Sequence, residues 1–212
     1  MLLKKVTLLM LLGIFYNFAK LLYFTFNPAY SPVISLSNFL LSLFAHIFII
    51  SFFITFSREF VDPQQDSLMN ATIGAVVSSV ALLVLDFVNN LGSVMSTYWT
   101  QDQVLEYVTI LVYWLNSLIL VYFFYILFIA PGATRSIKMH KATLFAFYGA
   151  IAATIMHSLN LVNYFYLMRL HVSFWSNDMP GAQITGGILI LFYFSAISVF
   201  LITLYKEKTP NR

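Results

Sequence analysis

Asp86, Asn89 and Asn90 end an otherwise apolar stretch, and Lys20 follows Asn17 by three residues in another. A carboxylate or an ammonium held at mid-membrane costs roughly 2.5–3.5 kcal/mol on insertion scales, so such groups need partners or a task. Further polar residues recur at helical spacing. Asn38, Ser42 and His46 fall every fourth residue, Glu106, Thr109, Tyr113 and Asn116 step by three, four and three, and His157 and Asn160 are three apart. Residues three or four apart share one helix face, so each set forms a stripe. Convergent stripes can hydrogen-bond a small polar solute or move protons, and a pair of histidines can ligate a haem. Lys20 and Asp86 are the two formal charges well inside apolar segments, which makes an ion pair between them the expected arrangement.

Each of these residues has a plainer reading. Asparagine and serine also hold membrane helices together, at ~0.6 kcal/mol per hydrogen bond. His46 and His157 offer a single histidine per segment, at depths several ångströms apart, which suits a b-type haem poorly. Ser158 adjoins His157 in "HSLN" and so points to a different helix face. Glu106 begins its segment, where a solvated helix-start carboxylate is ordinary. No nucleophile, metal cluster or nucleotide loop is recognisable, and the chain has no cysteine. No enzymatic activity, metal or cofactor is expected on these grounds.

The elements that must position these stripes follow from composition. Of 212 residues, 60% are hydrophobic and 9% charged, and mean hydropathy is +0.85. A soluble domain carries roughly 25% charged residues, so most of this surface is expected to face lipid. Six apolar segments span 6–26, 33–57, 68–91, 105–130, 143–168 and 184–205. Each is near the ~20 residues that cross a hydrocarbon core. Pro28, Pro32, Pro63, Pro131, Pro180 and Pro210 all fall outside them, as uninterrupted helices require. The expectation is an all-α, polytopic membrane bundle of six transmembrane helices forming one domain over 1–212. Lys4 and Lys5 precede a run with no small-residue cleavage site, so the first segment reads as an uncleaved helix.

Basic residues orient the bundle. With a cytoplasmic N-terminus, Lys4, Lys5, Arg58, Arg135, Lys138, Lys141, Lys206, Lys208 and Arg212 are all cytoplasmic, against Arg169 outside. That asymmetry is a strong positive-inside signal, and it places both termini in the cytoplasm. A multi-pass position in a cell membrane, the bacterial inner membrane, is the expected location.

Counting 1.5 Å per residue along each helix puts most polar stripes in the outer half of the bundle. The inner halves are apolar, with small residues such as Gly74, Ser78, Gly149 and Ala153. This asymmetry predicts an outward polar cavity bordered by Asn17, Lys20, Asn38, His46, Asp86, Asn90, Asn116, His157 and Asn160. Tyr113 and Phe87 are expected among its walls. The function expected is a small-solute binding or transport subunit. A structural or assembly subunit of a larger membrane complex is the alternative, followed by an intramembrane enzyme or b-type haem protein. Expected partners are membrane lipids, other membrane subunits and a small polar solute. Nucleic acid is excluded, since no segment is long enough to form a soluble domain.

Overall fold

The structure is a computed structural model. It describes the backbone of residues 2–26, 32–62, 64–95, 103–130, 136–170 and 180–207, and the side chains of 2–19, 39–62, 64–89, 105–130, 136–165 and 184–207. These residues form six helices and, among them, no strand: α1 (Leu2–Phe26), α2 (Pro32–Glu59), α3 (Asp66–Met95), α4 (Gln103–Ile129), α5 (Ile137–Leu170) and α6 (Pro180–Lys206). All six contain a stretch long and apolar enough to cross a membrane.

The helices overrun the apolar segments read from sequence. Pro32 and Pro180 are first residues of α2 and α6 rather than lying outside them. The first helical position leaves its N–H unpaired in any case, so proline is accommodated there. α5 starts at Ile137 and includes Lys138 and Lys141, which the apolar count had left in a loop. Ser136 fixes that start, its Oγ accepting the Met139 N–H at 3.0 Å. Ser136 also donates to Glu207, just past the end of α6.

Each helix packs on its neighbours in sequence, and α1 packs on α6, so the six close into a ring. Among the described residues no two helix backbones come together across the ring. Successive helices run in opposite directions, which brings Leu2 and Lys206 to the same end, called here the terminal end. At that end Glu59 accepts the Leu3 N–H at 3.1 Å, tying α2 to α1, and the Lys4 Nζ lies 5.9 Å over the Tyr205 ring, bridging α1 to α6. Two seams are tight because they lack side chains. A Cβ on Gly13 would meet the Ala45 backbone at 3.3 Å, and one on Gly149 would lie 2.5 Å from Ala196 Cβ.

A six-membered ring leaves a space along its axis that side chains must fill. In the terminal half aromatic and leucine side chains do so. Phe53 and Phe123 meet edge to face at 5.2 Å, as do Phe124 and Phe200 at 5.1 Å. Leu68, Leu127 and Leu201 close the floor around them, each 0% exposed. Much of the outside of the ring is apolar as well. Val77 is 62% exposed and Leu12 55%, on helix faces where a water-soluble bundle carries charge.

Candidate functional site

Above the phenylalanine floor the axis opens into a cavity of about 400 Å³, lined by side chains of all six helices. Its centre of polarity is a cluster on the α2–α3 seam. Ser42 Oγ donates to Asp86 Oδ2, and His46 Nε2 lies 3.4 Å from the same oxygen. The side chains of His46 and Asp86 are 9% and 15% exposed. Ser42 and His46 are one turn apart on α2, so a single α2 face presents both to α3. His46 Nδ1 is buried and has no hydrogen-bond partner.

Across the cavity, His157 of α5 stacks on Tyr113 of α4 with centroids 5.7 Å apart and planes at 25°. Asn17 of α1 and Asn116 of α4 complete the polar level. Beside it, Trp114 Nε1 donates to Ser158 Oγ at 3.0 Å, fastening α4 to α5.

The residues singled out from sequence therefore divide. Asn17, His46, Asp86, Asn116 and His157 line the cavity together. Asn160 is half-buried and does not line it. The side chains of Lys20, Asn38 and Asn90 lie outside the described residues, and with them the expected Lys20–Asp86 pair. Asn89 performs the plainer task, donating to Thr109 Oγ1 at 3.1 Å between α3 and α4. Glu106 is exposed in the first turn of α4, as a rim carboxylate is. Phe87 is not a wall. It is 43% exposed and its ring lies 5.6 Å from that of Phe39, because residue 87 sits about 100° around α3 from residue 86.

Sequence reasoning placed no residue of α6 in the site. Tyr193, Phe194, Ile197 and Phe200 line the cavity from that helix, yet α6 has no polar stripe to draw attention to them. Its signal was the aromatic run "FYF" at 192–194. Ser79 and Ser117 also line the cavity, but their hydroxyls donate to the Ala75 and Trp114 carbonyls, both at 2.7 Å.

The lining changes character along the axis. The end away from the termini holds Asn17, Ser42, His46, Asp86, Asn116 and His157, while towards the terminal end come Met10, Phe52, Phe53, Phe124, Ile197 and Phe200. Among the described residues Asp86 is the sole acidic side chain in the lining, and no lysine or arginine lines it. No group of three His, Asp or Glu among the described residues is arranged to hold a metal ion.

Ring and cavity together define a class, a closed six-helix bundle that is apolar outside and half-polar within. Comparison with protein-family models, curated proteins and solved structures found no match for this chain.

Proposed function

We propose that this is a multi-pass membrane protein, oriented with both termini in the cytoplasm, that binds a small solute in its axial cavity as a binding or transport subunit. One observation carries the reading: α1 to α5 each turn polar side chains inward at one level, onto a cavity of about 400 Å³. That volume falls in the ~300–1,000 Å³ range of small-molecule sites, which pair apolar walls with a few convergent polar groups. An assembly subunit would turn such stripes outward to meet partner helices, whereas the outward faces here are apolar. On the proposed orientation the polar level lies nearer the outer surface and the phenylalanine floor seals the cytoplasmic side.

The natural absence of cysteine makes the test direct. Single cysteines at Asn17, Ser42, Asn116 and His157 are expected to react with a membrane-impermeant thiol reagent added outside intact cells. Cysteines at Phe56 and Leu127, both fully buried in the floor, are expected not to react from either side. If the cavity positions are as inert as the floor positions, the solute-site reading is wrong.

A further inference from the structure

We infer that the ligand of this cavity is an uncharged amphiphile, a head of the carboxamide kind that both donates and accepts hydrogen bonds, on an apolar, ring-bearing body. On the reading of the cavity as a solute site, on which this assignment rests, the head sits between Asn17 and Asn116 and the body lies against the phenylalanine floor.

The two asparagines select the head. Asn17 of α1 and Asn116 of α4 both line the cavity, on helices that stand opposite one another in the ring. Neither side chain makes a hydrogen bond among the described residues, whereas Asn89, which does not line the cavity, is taken up by Thr109. Each amide carries one carbonyl oxygen and two N–H donors, and turning it over exchanges them without changing the inventory. A head that complements both must therefore donate and accept. A ketone or a carboxylate only accepts, and an ammonium only donates. A hydroxyl does both from one atom, while a carboxamide does so from two, which suits partners on opposite walls. The two ions also lose on solvation, because neutral amides and apolar walls return only part of what water gave them. Asp86 stands at the same level but is already engaged by Ser42 and His46, so the amides are the groups with bonding capacity to spare.

The axial gradient selects the body. Phe52, Phe53, Phe124, Ile197 and Phe200 present an apolar surface with no polar group to satisfy. A small hydrophilic amide would leave that surface against water, whereas an aryl-alkyl chain covers it and adds edge-to-face ring contacts. Head and body prefer opposite ends, so the ligand has one orientation.

The test uses three probes of one shape: 3-phenylpropanamide, 4-phenylbutan-2-one, in which a methyl replaces the amide nitrogen, and 3-phenylpropionate. Phenylpropylammonium adds a cation, and propanamide lacks the ring. Binding to the full-length purified protein in a neutral detergent is measured calorimetrically, against detergent alone. The phenyl amide is expected to bind at least tenfold more tightly than each of the other four. The ketone is the more apolar molecule and still ranks lower, because it leaves asparagine oxygens of the site without a donor. Asn116→Leu is expected to bring the amide down to within threefold of the ketone. The ranking in the unaltered protein decides the question even if that variant fails to fold. A ketone, carboxylate, ammonium or propanamide that equals or exceeds the phenyl amide overturns the proposed ligand while the cavity stands as a solute site. So does binding of none of the probes when the cavity cysteines react with thiol reagent. Binding of none, with those cysteines inert, removes both.

Discussion

At the scale of single residues, the Ser42–His46–Asp86 cluster is where stability and site are most closely joined. Asp86 accepts from Ser42 and faces His46 Nε2 at 3.4 Å, in surroundings that leave its side chain 15% exposed. Removing a donor from a carboxylate in such a place leaves part of its charge unanswered, whereas removing the charge as well relieves that cost. The variants Ser42→Ala and Asp86→Asn are therefore expected to be non-additive, with a coupling of about 0.5–3 kcal/mol in a thermal-unfolding cycle, as for groups in one hydrogen-bond network. Additive effects would show that the two side chains do not interact in the folded protein. The same cluster marks what spacing reveals and what it does not. Ser42 and His46 stand out as one stripe on α2, but nothing in their spacing says that Asp86 of α3 is the group they meet. Charge matching pairs Asp86 with Lys20, whose side chain lies outside the described residues. Which face of one helix meets which face of the next is decided by packing across the seam, and no periodicity within either helix encodes it.

Among the elements, the α5–α6 seam depends on a missing side chain. Alanine normally favours a helix by about 1 kcal/mol over glycine. At residue 149 the added Cβ would sit 2.5 Å from Ala196 Cβ, so the two helices must separate. Gly149→Ala is expected to destabilise despite the better propensity, Gly149→Val more so, by about 1–3 kcal/mol for such overpacking. Ala196→Gly should restore the close approach and recover much of the loss in Gly149→Ala. Thermal unfolding of the two singles and the double variant checks this, and a double variant no better than Gly149→Ala alone would rule the contact out. All six helices were legible from apolar run length, because length and hydropathy fix what spans a bilayer. Their ends were less so. α5 extends over Lys138 and Lys141 since backbone hydrogen bonding and the Ser136 cap, not hydropathy, decide where a helix begins. The part of α6 in the site stayed hidden for a related reason: an apolar wall looks the same in sequence as an apolar core or a lipid-facing stripe.

For the molecule as a whole, the proposed orientation predicts that reporters fused after Pro63 and after Arg212 both read cytoplasmic, and an external reading at either position would reverse which end of the cavity faces outside. The division of the bundle into a polar half and a sealed half was legible from the depth of the stripes, because the cost of burying polar groups in lipid constrains them to the interior. The ring has a further consequence. Among the described residues, helix backbones come together only with those next to them in order, with α1 and α6 as one more adjacent pair, so the backbone packing is a circular sequence with no privileged first member. Five of its six seams form between chain neighbours, and the one long-range closure joins two helices whose ends already meet where Lys4 overlies Tyr205. Such a molecule should tolerate being opened elsewhere. Linking the end of α6 to the start of α1 and cutting between α4 and α5, on the terminal side, leaves every helix its direction across the bilayer. The rearranged chain, reading α5, α6, α1, α2, α3, α4, is expected to unfold cooperatively and to keep the wild-type pattern of thiol accessibility in its cavity. Loss of that pattern in a well-folded permutant would mean that the order of insertion, and not the circular packing, forms the site.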